Sequence, residues 1–81
     1  MTTPTLYSKP ACVQCTMTKK WLDRNGTVLP IVDVTVDTDA LAKIVALNYA
    51  QAPVIWIDAD THWSGFRPDL LAQHFPKENA S

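Results

Sequence analysis

The chain has 81 residues, 47% hydrophobic and 19% charged, with seven Lys and Arg against eight Asp and Glu and a formal net charge of −1. That describes one small domain with a modest core, without the basic excess that nucleic acid calls for, a charge run for a polybasic membrane patch, or an apolar run near bilayer length. Met1-Thr2-Thr3-Pro4-Thr5 lacks a basic region followed by an apolar one, so no secretory signal is expected, and two cysteines are too few for a secreted disulfide scaffold. A cytoplasmic monomer is expected. No repeat or linker divides residues 1–81, and residues 77–81 are expected as a loose tail.

Thr5-Leu6-Tyr7-Ser8 reads as a short strand, ended by Lys9-Pro10-Ala11 because proline cannot donate to a ladder and restricts the residue before it. A helix is predicted from Cys12 or Val13 to about Arg24, with Met17, Trp21 and Leu22 as its apolar stripe. Asn25-Gly26 stops it, since both residues tolerate the left-handed conformation. Val28 to Val34 is predicted as a second strand, parallel to the first through a helical crossover, and Pro30 places it at a sheet edge. Asp37 is a helix cap, Asp33 a strand-end acid, and the following helix is predicted to about Leu47 with Leu41, Ile44, Val45 and Leu47 facing inward. Val54-Ile55-Trp56-Ile57 reads as a strand covered on both faces. Asp58-Ala59-Asp60 turns it into a returning strand, Thr61-His62-Trp63. Ser64 to Arg67 is a loop, and Pro68-Asp69 opens a last helix that stops at Pro76. The predicted fold is α/β, thioredoxin-like, with order βαβαββα and a four-stranded mixed sheet flanked by three helices.

Both cysteines lie at the first strand-to-helix junction, as Cys12-Val13-Gln14-Cys15. Unpartnered backbone N–H groups and the positive end of the helix dipole meet there, favouring a thiolate over a thiol. In motifs of this type the first cysteine falls from a pKa of about 8.5 towards 7 or lower. Cys12 is therefore the candidate nucleophile. Cys15, one turn on and shielded inside the helix, is the candidate resolving thiol. Lys9 is a candidate source of positive potential near Cys12, though a solvated loop lysine has the same sequence signature. The competing readings are a zinc half-site or inert core thiols. Zinc needs four ligands, and His62 and His74 are not spaced as a finger requires, so no metal is expected.

Three segments resemble the NrdH-redoxins, the glutaredoxin-like hydrogen donors of class Ib ribonucleotide reductase: Cys12-Val13-Gln14-Cys15, Gln51-Ala52-Pro53-Val54 and Trp63-Ser64-Gly65-Phe66-Arg67-Pro68-Asp69. The first narrows a superfamily motif, and the third is highly specific. Departures are mild: Asn48 stands where relatives often have glycine, and Asp58-Ala59-Asp60 lacks a common hairpin glycine. The resemblance implies a cis Ala52–Pro53 bond against the dithiol, with Ala52 backbone groups free to pair with an extended substrate segment. It implies that Val13, Gln14, Ala52, Pro53 and the Trp63, Ser64, Gly65, Phe66 and Arg67 loop contact partners, although Trp63 and Phe66 also fit ordinary packing. Gly65 fits a tight or positive-φ turn. Glutathione-dependent glutaredoxins have a glycine-rich turn with acidic residues at this loop, so poor glutathione binding is implied. The implied partners are thioredoxin reductase, which carries the NADPH and FAD, and the large subunit of class Ib ribonucleotide reductase. The chain itself would bind no cofactor beyond its redox-active disulfide. The rival readings are an ordinary glutathione-recharged glutaredoxin and a non-catalytic metal module that bridges two chains through Cys12 and Cys15.

Overall fold

The computed structural model describes residues 4–76, so the expected tail at 77–81 lies outside the described residues. In chain order the elements are β1 (Thr5–Ser8), α1 (Val13–Arg24), β2 (Ile31–Asp33), α2 (Thr38–Ala46), β3 (Val54–Asp58), β4 (Thr61–Ser64) and α3 (Pro68–His74). They form a four-stranded sheet of order β2-β1-β3-β4. β1 and β2 run parallel, and the β1–β3 and β3–β4 pairs run antiparallel. This is the expected βαβαββα arrangement, with the two-residue turn at Ala59-Asp60 accommodated by a register shift between Trp56 and Asp58.

The sheet has two differently filled faces. Leu6, Ile55 and Trp63 align across β1, β3 and β4 and pack with Leu22 of α1 and Leu71 of α3. On the other side, Tyr7, Val34 and Val54 pack with Ala40 and Ile44 of α2. The period-2 alternation along β1 makes this division, sending Leu6 and Tyr7 to opposite faces.

Local chemistry explains the boundaries. Cys12 caps α1 in an extended conformation, with its sulfur accepting the Cys15 N–H. Asn25 ends that helix, and Gly26 takes φ +71° just beyond it. Asp37 caps α2, its carboxylate accepting the Ala40 N–H at 3.0 Å. Asn48 follows α2 at φ +69°, a conformation in which asparagine stands in well for glycine. The carboxylate of Asp33 accepts the backbone N–H and hydroxyl of Thr35, which hold it below the usual carboxylate range.

Three expectations need correction. β2 is shorter than Val28 to Val34. Proline at position 30 has no N–H to give, so the paired stretch begins after it, with the Pro30 carbonyl accepting the Leu6 N–H at one end and the Val34 N–H donating to Ser8 at the other. The inward stripe of α1 is Cys15, Thr18 and Leu22, whereas Met17 is 43% exposed. On α2, Ala40 and Ile44 are buried while Leu41 and Val45 are exposed, because the helix is rotated to set Ala40 and Ile44, one turn apart, against Tyr7, Val34 and Val54.

Candidate active site

The dithiol sits where β1 hands over to α1. Ala11 immediately precedes it at φ +54°, a left-handed conformation that costs an L-residue roughly 1–2 kcal/mol. Cys12 and Cys15 are disulfide-bonded with their Cα atoms 5.2 Å apart, within the span a disulfide bridges. Cys12 is part-exposed, and Cys15 is 1% exposed. The Cys15 backbone N–H points at the Cys12 sulfur from 3.1 Å. That donor, at the positive end of a three-turn helix, favours negative charge on Cys12 once the disulfide opens. The exposed sulfur therefore suits attack on an incoming disulfide, and the buried one suits resolution from behind.

Ala52–Pro53 is a cis peptide bond, as the resemblance implied. Its Ala52 carbonyl oxygen lies 3.6 Å from the Cys12 sulfur. Pro53 is fully buried. Its carbonyl accepts the Gly65 N–H at 2.8 Å, which joins this turn to the loop after β4.

That loop is bound to the dithiol by a contact the sequence did not disclose. The side-chain oxygen of Gln14 accepts the Phe66 N–H at 2.9 Å, across 52 positions. Gly65 takes φ +85°, and a Cβ there would lie 3.1 Å from the same Gln14 oxygen. Glycine at 65 thus serves both the turn and the close approach of Gln14. The absence of any larger residue at 65 was the one visible signal for this contact. The three motifs close into a ring: dithiol to Ala52, Pro53 to Gly65, Phe66 to Gln14.

The remaining site candidates occupy two environments. Val13 is 76% exposed beside Cys12, and Ser64 and Phe66 are half-buried. Trp63 is 6% exposed in the core under α1 and α3, so it supplies packing rather than partner-facing surface. The ring of His74 stacks on it at 5.4 Å. Arg67 reaches over Asp69 through two hydrogen bonds, of 3.2 and 3.0 Å, lowering the carboxyl below its usual range and raising the guanidinium. Lys9 is exposed and lines a groove of about 260 Å³ together with Gln51, Ala52 and Tyr49. Among the described residues, no group of three or more His, Cys, Asp or Glu converges as a metal site would.

A family model described as Glutaredoxin matches residues 5–63. The glutaredoxin-like protein NrdH of Salmonella typhimurium is 35% identical over 77 residues, covering 95% of this chain and 94% of that protein. The glutaredoxin-like protein NrdH of Lactococcus lactis subsp. lactis is 38% identical over 69 residues, covering 85% and 94%. Among solved structures, the glutaredoxin-like protein NrdH-redoxin from Escherichia coli, described as having a thioredoxin-like activity profile, superposes with a TM-score of 0.82 at 34% identity over 90% of this chain and 95% of that one.

Proposed function

Because the chain belongs to the glutaredoxin family, and within it to the NrdH glutaredoxin-like proteins, we propose that this thiol–disulfide oxidoreductase carries electrons from thioredoxin reductase to the large subunit of class Ib ribonucleotide reductase. In its reduced form the Cys12 thiolate attacks one sulfur of the target disulfide, forming a mixed disulfide and expelling the other target sulfur as a thiolate, which takes up a proton. Cys15, deprotonated, then attacks the Cys12 sulfur. The second target thiol leaves, and the Cys12–Cys15 disulfide re-forms. Two electrons and two protons have passed to the target. The reductase, drawing on NADPH through its own FAD, returns them.

The observation that carries this reading is the closed state of the loop beside the dithiol. The Phe66 N–H is taken by Gln14, the Gly65 N–H by Pro53, and the carboxylate of Asp69 by Arg67. A glutathione tripeptide would need such donors and acids free, which supports recharging by a reductase and weak glutathione binding. The Ala52 backbone and exposed Val13 offer an edge for an extended target segment, and Lys9 adds positive potential on the same rim. The protein acts as a cytoplasmic monomer, with no bound cofactor besides its disulfide. Encounters are brief, as a carrier that must release each partner requires.

The test is NADPH oxidation coupled to a disulfide acceptor, recharged either by thioredoxin reductase or by glutathione with glutathione reductase. Turnover with the first alone, abolished in Cys12→Ser, is expected. Efficient turnover with glutathione alone would replace this reading with an ordinary glutaredoxin, and silence with both would favour a metal-binding module.

A further inference from the structure

Alongside α1, on the flank that faces the Phe66 loop, lies a groove of about 210 Å³ lined by Met17, Lys20, Trp21, Arg24 and Phe66. Met17 is 43% exposed, and Trp21 and Phe66 are half-buried, so the floor is apolar but open. Lys20 and Arg24 stand exposed on its rim, and neither has an acidic partner among the described residues, where the one ion pair joins Arg67 to Asp69. Two of its lining residues tie the groove to the dithiol. Val13 and Met17, at i and i+4, share the helix face that leads into it, and Phe66 is hydrogen-bonded to Gln14 between the two cysteines.

We propose that this groove docks an acidic segment of a disulfide-bearing protein partner, with one aromatic or large aliphatic side chain seated between Met17, Trp21 and Phe66 and carboxylates facing Lys20 and Arg24. The proposal rests on the disulfide-exchange reading above and adds what the target looks like beyond its cysteines. Distance permits it. Arg24 lies twelve residues beyond Cys12, about 18 Å at the rise of an α-helix. Five or six extended residues, at about 3.3 Å each, cover that span. A target cysteine engaged at Cys12 thus places the following half-dozen residues along the groove. Complementary rim charge speeds encounter and selects against basic segments more than it tightens the complex, which suits a partner that must leave after two electrons.

The experiment uses the full chain, reduced beforehand and freed of reductant, so that no recharging enzyme is needed. Four synthetic peptides share one intramolecular disulfide and differ in a six-residue extension: acidic with one phenylalanine, neutral with phenylalanine, basic with phenylalanine, and acidic without it. The readout is the second-order rate of peptide thiol release in acid-quenched samples. The acidic phenylalanine peptide is expected to react about tenfold faster than the neutral one, with the basic one slowest and the advantage shrinking in high salt. In a Lys20→Glu, Arg24→Glu double variant the order of acidic and basic peptides should invert, which general loss of structure would not produce. Equal rates for all four peptides with the wild-type protein would overturn the groove while leaving disulfide exchange intact. Failure of every peptide to react would instead overturn the exchange reading, and this proposal with it. A concentration-dependent dimer in sedimentation velocity that the double variant abolishes would name a second copy of the chain as the occupant, and would also overturn it.

Discussion

The two faces of the sheet are built to different standards. Under α1 and α3 the core is dense and apolar, with Leu6, Ile55 and Leu71 at 0% exposure. It even encloses the Trp63 indole nitrogen without a protein acceptor. Under α2 the packing is amphipathic. The Lys43 ammonium lies 3.7 Å from the centre of the Trp56 ring, and the Tyr49 hydroxyl meets His62 Nδ1 at 2.7 Å. Leu41 and Val45 are left exposed. The dithiol belongs to the dense side, since Cys15 and Thr18 are buried on the same stripe of α1 as Leu22. The face that fixes the reactive helix is the face that tolerates no slack.

Mutation should separate the two. Leu71→Ala opens a cavity in the dense face and is expected to cost about 2–5 kcal/mol of unfolding free energy in urea titration. A loss near 1 kcal/mol would mean the two faces are equivalent. Next in size is Gly65→Ala, which meets both a positive φ and the Gln14 oxygen. A loss of about 1–3 kcal/mol is expected, together with faster exchange of the Phe66 amide proton as its bond to Gln14 loosens. If the Phe66 amide stays protected, the loop is held by something other than Gln14.

On the α2 face, Tyr49→Phe removes one hydrogen bond, with an expected cost of about 0.5–1.5 kcal/mol. Burial raises the Tyr49 hydroxyl above its ordinary value, so the folded state prefers it protonated. Its contribution is therefore intact below about pH 10 and disappears as pH rises through the raised value. Denaturation at pH 8 and pH 11 should show the wild type losing the advantage over Tyr49→Phe, and an unchanged gap would contradict this. The smallest effect belongs to the exposed Arg67–Asp69 pair. Asp69 is lowered by the hydrogen bond from Arg67, so whatever it adds is present above about pH 4 and vanishes as pH falls through the lowered value. Asp69→Asn should shift the neutral-pH midpoint barely, and the shift should be gone in acid.

Much of this was legible in the sequence, and the failures share a cause. Element order, the Asp37 cap, the Asn48 turn and the edge position of β2 follow from local chemistry, which a residue and its neighbours determine. Met17 and Val45 misled because apolar spacing does not fix the rotation of a helix against its sheet; the bulk of the facing strands does. The dithiol was legible by position as well as spacing. The Gln14 contact to Phe66 was not, since it depends on two distant segments meeting. The Tyr49–His62 pair escaped for the same reason, with His62 set on β4 opposite Trp56 and Tyr49 delivered by the turn after α2.

The bond between Gln14 and Phe66 also bears on how such proteins can be re-engineered. Neither Cys12-Val13-Gln14-Cys15 nor Trp63-Ser64-Gly65-Phe66 is a portable cassette. Grafting the first onto a glutaredoxin scaffold leaves an amide with no loop to grip, and grafting the second leaves a backbone donor with nothing to hold it. A chimera meant to keep the dithiol and this loop joined as they are here has to inherit both halves together, with glycine at position 65.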